Sequence, residues 1–283
     1  MPQPSAEVHL TVADVERLVA AQHPGLTSTV LPAGAGWDNV VFRLGERLAV
    51  RLPRRSVAVP LLENEQRWLP VIAPRLLVPV PAPVAVGLPD ATYPWPWSIV
   101  PWFEGTPAAH LHPEVRDAVA GEVAAFVRAM HQPAPADAPH NPFRGAPLSA
   151  RAETMPPRLA PFPDLTALWL EGCAAPVWPE PPVWLHGDLH PGNMIVSDGA
   201  LRAVVDFGDL CAGDPASDLS IAWTGFTPTG RAVFRAALEG RYDPHVWTRA
   251  RAWAAAIAAL VADADDAWLR DISAHTIAQL ARE

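Results

Sequence analysis

The alternation of apolar and polar positions changes character partway along the chain. Near the start, Thr11-Val12-Ala13-Asp14 has the form of a capping box with Thr11 as N-cap. Val15, Leu18 and Val19 then recur at helical spacing until the stop at Pro24-Gly25. Short apolar runs follow at 28–31, 39–44 and 48–52, each with the length of a strand. Pro32-Ala33-Gly34-Ala35-Gly36 supplies the turn of a first hairpin and Gly45-Glu46-Arg47 that of a second. This is the pattern of an antiparallel meander. A helix is predicted over 61–69, and strands over 79–88 and 97–102, with Pro94-Trp95-Pro96-Trp97 as a rigid aromatic turn.

From Pro113 the rhythm is helical. Val115, Val119, Val123, Phe126 and Met130 share one face of a helix ending near His131. Residues 132–164 are crowded with proline and predict an irregular surface segment with room for a short helix. Three short strands, 183–185, 194–196 and 203–205, are separated by polar loops. Everything after Asp214 reads as helix, ending in alanine-rich stretches over 244–262 and 265–282. There is no internal repeat. The chain is strand-rich first and helix-rich second, and the switch falls near Glu104-Gly105.

Composition narrows the chemistry. Half of the 283 residues are hydrophobic and 18% are charged, so a folded core is expected. The formal net charge is −9, without the basic surplus or stripe of a nucleic-acid binder. All 21 basic residues are arginine, which excludes a Schiff-base lysine and a Walker-type P-loop. Cys173 and Cys211 lie far apart and fit no zinc spacing or disulfide framework, the expectation being two reduced thiols. The first residues have no secretory pattern. The longest low-charge stretch, 70–87, is interrupted by Arg75 and five prolines and cannot span a bilayer as a helix. A cytoplasmic protein with no membrane, nucleic-acid or protein partner is the expectation.

The chemistry concentrates in Leu185-His186-Gly187-Asp188-Leu189-His190-Pro191-Gly192-Asn193 and in Val204-Val205-Asp206-Phe207-Gly208-Asp209. Two antiparallel strands joined by a turn would bring Asn193 and Asp206 close together. An amide oxygen and a carboxylate form a hard-oxygen pair suited to Mg²⁺, which fills its remaining sites with water and phosphate. Asp188 then stands as a nearby carboxylate able to orient a hydroxyl and accept its proton.

These motifs resemble the catalytic core of protein kinases and, more closely, the aminoglycoside phosphotransferase family with its choline kinase relatives. The kinase pattern is H-R-D-x-x-x-x-N followed by D-F-G. Here Gly187 stands in the arginine position, as is typical of the aminoglycoside phosphotransferase group. Gly213-Asp214-Pro215, Asp218-Leu219 and the Arg128-Ala129-Met130-His131 helix end add to the likeness. The resemblance implies an α+β, bilobal, protein-kinase-like fold. Its N-terminal antiparallel-sheet lobe, residues 1–104, would bind nucleotide, and a larger helical lobe, residues 105–283, would carry catalysis and the acceptor.

It also implies roles. Asp188 would be the catalytic base, braced by His186, with Asn193 and Asp206 holding Mg²⁺. Gly34 and Gly36 would sit in the hairpin over the phosphates of ATP or GTP. Arg51 would take the place of the family's phosphate-gripping lysine, paired with Glu65 (Glu63 being the other candidate), and Pro101 and Phe103 would meet the purine. A small-molecule hydroxyl acceptor, an aminoglycoside or other antibiotic foremost, would lie near His190 and Asp209. Asp263, Asp265, Asp266 and Asp271 offer an acidic rim suited to a polycation, or simply a solvated helix face. Trp223, Trp247, Trp253 and Trp268 could line an apolar acceptor site, though helical spacing favours core packing for most of them. Two other readings stay open: a metallohydrolase using His186, Asp188 and His190, and a nucleotide-binding pseudokinase module, for which the arginine at position 51 is the one argument.

Overall fold

The computed structural model describes residues 4–282. The chain divides into two compact units, one of residues up to 75 together with 79–104, the other of 76–78 together with 105 onward. The fold is α+β.

The first unit begins with helix α1, Val12–Gln22. The Thr11 hydroxyl accepts from the Asp14 N–H at 3.3 Å and the Asp14 carboxylate accepts from the Thr11 N–H at 2.9 Å, a reciprocal cap. A five-stranded antiparallel sheet follows, in the order β1-β2-β3-β5-β4. Its strands are β1 (Val30–Ala35), β2 (Asn39–Leu44), β3 (Leu48–Pro53), β4 (Ala85–Gly87) and β5 (Trp97–Pro101). Val15, Leu18 and Val19 of α1 pack with Phe42, Leu44, Val50, Leu52, Trp97 and Ile99 in one buried cluster. Helix α2, Val59–Ile72, buries Leu62, Glu65, Trp68, Leu69 and Ile72.

Three sequence expectations shift here. The predicted strand over 79–88 shrinks to β4, because Pro79, Pro81 and Pro83 have no N–H to give to a ladder. The glycine turn moves: Gly34 belongs to β1, at a bulge opposite Val41, and the reversal is made by Gly36, Trp37 and Asp38. Helix α2 outruns its predicted end and passes through Pro70, held by the buried Leu69 and Ile72.

The second unit is mainly helical. Its helices are α3 (Pro113–Arg116), α4 (Ala120–Met130), α5 (Pro156–Leu159), α6 (Pro163–Ala174), α7 (Ala216–Leu219), α8 (Ile221–Thr224), α9 (Pro228–Ala236), α10 (Val246–Val261) and α11 (Ala267–Leu280). Strands β6 (Thr106–Pro107), β8 (Met194–Ser197) and β9 (Ala200–Val204) form one small sheet, and β7 (Val183–Leu185) pairs with β10 (Cys211–Gly213) in another. The helix expected to run unbroken from 113 to 131 is interrupted by a 3-10 turn at Asp117–Val119. Val115 therefore leaves the common face and is exposed, while Asp117 caps the start of α9 through the Thr227 N–H at 2.9 Å. Helix α6 and strand β10 had no clear signal in the pattern. Among the described residues no helix is long and apolar enough to cross a membrane.

Burial, together with the charges of Arg116 and Arg231, pushes the His275 imidazole down from 6.5 to about 4. Folded His275 thus stays neutral where the unfolded chain binds a proton. Its contribution is complete above pH 6.5 and is lost as the pH falls towards 4. Chemical denaturation of the wild type and His275→Gln across this window should show a shallower loss in the variant, by on the order of 1–3 kcal/mol.

Candidate active site

In the second unit, β7 delivers the chain to His186 and β8 leaves from Asn193, so Asp188 lies in a loop clamped at both ends. The clamp at the entry is Asp218, fully buried at the end of α7. Its Oδ2 accepts from the His186 N–H at 2.8 Å and its Oδ1 from the Gly187 N–H at 2.9 Å. His131 Nε2 lies 3.2 Å from Oδ2, and its Nδ1 is 2.8 Å from the Tyr242 hydroxyl. Gly187 has φ +86°, and a Cβ there would meet the Asp209 carbonyl oxygen at 2.1 Å. No side chain fits, which accounts for glycine where protein kinases place arginine.

His186 is locked by two bonds. Its Nδ1 accepts from the Asp188 N–H at 3.2 Å, so Nε2 carries the proton and donates to the Val205 carbonyl at 2.9 Å. The ring packs 4.5 Å from Phe207. His190 is oriented the same way: Nδ1 accepts from the Gly192 N–H at 2.9 Å, leaving Nε2 facing Asp188 Oδ2 at 3.4 Å. With these ring nitrogens committed, His186, Asp188 and His190 do not converge as a zinc set. No cluster of three metal-ligating side chains occurs among the described residues.

The Asn193 amide donates Nδ2–H to the Asp188 carbonyl at 2.9 Å, which leaves Oδ1 as its acceptor atom. The Asn193 carbonyl accepts from the Val205 N–H at 2.9 Å, setting Asp206 one residue further along the opposing strand end. Asp206 is exposed and adopts φ +62°, a left-handed turn that drives Phe207 inward. An amide oxygen and an exposed carboxylate on neighbouring strand ends are the donor types that suit a hard divalent cation.

Arg144 is a residue the sequence pattern did not single out. It comes from the proline-rich segment, 44 residues before Asp188, and donates Nη2–H to Asp188 Oδ1 at 2.9 Å. Its Nε lies 3.4 Å from Asp209 Oδ2, while Asn141 Nδ2 donates to Asp209 Oδ1 at 2.7 Å. Burial works against the Asp188 charge, but the Arg144 guanidinium and His190 hold the carboxyl well below the usual range. Asp209 moves the opposite way: burial and the Asp188 charge raise it, with Arg144 and Asn141 opposing. Asp209, expected at the acceptor, is thus engaged with the arm.

That arm, residues 139–146, docks by its backbone. Pro139 O accepts from Ala212 N–H at 2.9 Å and Gly145 O from Asp214 N–H at 2.8 Å. Gly145 and Gly213 touch backbone to backbone, and Gly145 has φ +64°. The only sequence trace of this device is an Asn-Pro-Phe-Arg-Gly turn inside a stretch with no periodicity.

The other expected positions fall as follows. In the first unit, Arg51 of β3 and Glu65 of α2 form an ion pair with side chains only 10% and 4% exposed. The Gly36 turn is pinned by Arg54 Nη1, donating to Gly36 O at 2.9 Å, and by Arg55 Nη2, donating to Asp38 at 2.6 Å. Gly34 lies in the strand before it. Pro101 ends β5 opposite Leu48, and the Phe103 N–H just beyond makes no hydrogen bond among the described residues. In the second unit, Asp263 and Asp266 are exposed before α11, and neither carboxylate is paired among the described residues. Trp268, two residues on, lies 5.7 Å from the His190 ring. Trp223 and Trp253 are core residues.

The sequence profile of the phosphotransferase enzyme family (APH) matches residues 29–253. No curated relative matches the sequence. The fold is similar to the GDP complex of wild-type aminoglycoside 2'-phosphotransferase-IIIa, at 17% identity and TM-score 0.69, covering 96% of this chain and 99% of that one. It is also similar to the apoenzyme of a macrolide 2'-phosphotransferase from Brachybacterium faecium, at 24% identity, TM-score 0.64 and coverage of 94% and 97%. A third likeness is to an ADP-bound aminoglycoside phosphotransferase, APH(2'')-Ib, at 16% identity, TM-score 0.61 and coverage of 96% and 98%. At these identities the likeness is one of fold.

A Cβ on Gly213 would lie 2.3 Å from the Gly145 oxygen and 2.7 Å from its Cα, backbone atoms that cannot yield. Gly213→Ala should therefore cost about 1–3 kcal/mol in denaturant unfolding. Gly25→Ala, where a Cβ meets nothing within 4 Å, should stay near wild type.

Proposed function

The chain belongs to the phosphotransferase enzyme family, and on that premise we propose that it moves the terminal phosphoryl group of a purine nucleoside triphosphate to a hydroxyl of a small molecule. The observation that carries this is the held geometry of Asp188, an ionised and partly exposed carboxylate in a loop braced by His186, Asp218 and Asn193. In the transfer, the acceptor oxygen forms a bond to the terminal phosphorus and the bond to the bridging oxygen breaks. Nucleoside diphosphate leaves, and the hydroxyl proton passes to Asp188. A carboxylate held at low basicity suits a reaction whose transition state is loose and needs its base late. Catalysis is then chiefly orientation and charge placement.

Asn193 and Asp206 are the proposed holders of Mg²⁺, which when bound would neutralise phosphate charge. In the first unit, proposed as the nucleotide-binding part over 1–104, Arg51 would grip phosphate oxygens, fixed in place by Glu65. Guanidinium is planar and always charged, so the absence of lysine at this position does not remove the grip. The Gly36 turn would approach the phosphates and the Phe103 N–H would give one donor to the purine. Relatives of this fold have been seen with GDP and with ADP, so ATP and GTP both enter the test. The second unit, from 105, would hold the acceptor, an antibiotic of the aminoglycoside or macrolide type being the class suggested by those relatives.

Asp188→Asn should lower kcat by about 10²–10⁴-fold while leaving nucleotide affinity within about threefold. Asp206→Ala should abolish transfer at all Mg²⁺ concentrations. Mass gain of one phosphoryl group on the acceptor is the readout. Transfer persisting in the Asp206 variant would refute the reading. Nucleotide binding without turnover across a broad alcohol panel would favour a binding module instead.

A further inference from the structure

Asp188 and Asp209 share one cation, Arg144, and the Asp206 charge acts on Asp209 as well. Arg144 Nη2 lies 2.9 Å from Asp188 Oδ1, and Nε lies 3.4 Å from Asp209 Oδ2. Nε and Nη2 form one edge of the guanidinium fork, so the two carboxylates approach a single edge side by side. Asn141 Nδ2 fixes the other oxygen of Asp209 at 2.7 Å, and His190 Nε2 faces the other oxygen of Asp188 at 3.4 Å. The side chains of Arg144, Asp188 and Asp209 are 22%, 36% and 30% exposed, so solvent and its ions reach all three.

Two carboxylates side by side, with a third charge beside them, are what a hard divalent cation takes. Without Arg144 this pair would compete with Asn193 and Asp206 for Mg²⁺. A metal held there would occupy the lone pairs that Asp188 needs for the acceptor's proton. A guanidinium relieves the same repulsion differently. It gives one N–H to each carboxylate, stays charged, and is tied to the chain. The tie is the arm over 139–146, seated through the Pro139 and Gly145 carbonyls on the Ala212 and Asp214 N–H groups at 2.9 and 2.8 Å.

We propose that Arg144 is an internal counter-ion that keeps divalent metal off Asp188, and so confines Mg²⁺ to the side of the site formed by Asn193 and Asp206. It is a positioning residue, acting through the two carboxylates it withholds from the metal. The exclusion is a property of the folded chain. Its consequence for phosphoryl transfer rests on the phosphotransferase reading.

Metal binding is read first, on the full chain without nucleotide. Mn²⁺ is the probe for Mg²⁺, and the free ion is counted by electron paramagnetic resonance. Arg144→Met should bind one Mn²⁺ per chain more than the wild type, and adding Asp209→Asn should remove the extra ion. Arg144→Lys keeps a tethered cation and should return the wild-type count. Replacing sodium chloride by magnesium chloride at constant ionic strength should raise the melting temperature of Arg144→Met by about 3 °C more than that of the wild type. Gly213→Ala, which unseats the arm and retains Arg144, should gain the same Mg²⁺ response. Equal Mn²⁺ counts in the wild type and Arg144→Met, or an extra ion that survives Asp209→Asn, overturns the proposal. Should Arg144→Met not fold, an unchanged Mg²⁺ response in Gly213→Ala overturns it.

Transfer is read second, from Mg-ATP or Mg-GTP to kanamycin, glycerol or water. The wild type should hold its rate as free Mg²⁺ rises beyond the nucleotide concentration. Arg144→Met should lose about tenfold when free Mg²⁺ reaches about ten times the dissociation constant of the extra site. That loss should fall in kcat and leave the nucleotide KM unchanged. A variant that carries the extra ion and is not inhibited overturns the protection of the base. No transfer by the wild type to any of these acceptors, with the extra ion present in the variant, counts against the phosphotransferase reading and leaves the exclusion of metal standing.

Discussion

The arrangement around Asp188 depends on one buried carboxylate that does no chemistry. Asp218 receives the His186 and Gly187 N–H groups and faces His131, itself tied to Tyr242. A fully buried carboxylate is costly unless its lone pairs are filled. Here they are filled by the backbone entry to the loop that carries Asp188, so keeping the charge satisfied and keeping the loop in place are the same requirement. From that fixed entry, His186 reaches the Val205 carbonyl and couples the loop to the strand end that carries Asp206. The spacing between Asp188, Asn193 and Asp206 is thus set by hydrogen bonds to main-chain atoms more than by side-chain packing.

Arginine does the work elsewhere that a mixed basic composition would share. Arg54 and Arg55 pin the Gly36 turn, Arg249 joins Asp214 to Asp243, and Arg144 spans Asp188 and Asp209. The Arg249 and Arg144 contacts use the forked geometry that lets one guanidinium serve two acceptors, which a lysine ammonium meets less well. In a chain without lysine, an arginine at position 51 is consistent with the rest of the molecule.

How much of this was visible in the sequence varies by element. The capping box at Thr11, the hairpin at Gly45 and strand β7 follow from local pattern, because a cap, a positive φ and a short apolar run each leave a direct trace. The strand over 79–88 was overextended because apolar content was visible and the missing proline donors outweighed it. The break at Asp117–Val119 left no local mark, since its cause is a contact with Thr227 more than a hundred residues away. In the site, Asp188, Asn193 and Asp206 were legible from spacing and resemblance, and so was the pairing of Arg51 with Glu65. Arg144 was not. It lies in a segment with no period, and its position comes from glycine contacts that no single-sequence signal encodes.

The arm's attachment has a consequence for recombination. The motif loop, its buried clamp and both strands that frame it lie between residues 183 and 218, a span short enough to move as one fragment between related chains. Arg144 and the glycine that seats it lie outside that span. A chimera carrying only the fragment would keep every motif by which the loop is recognised and would inherit whatever charge its new host's arm supplies. In such exchanges the conserved-looking segment and the environment of its carboxylate are inherited separately.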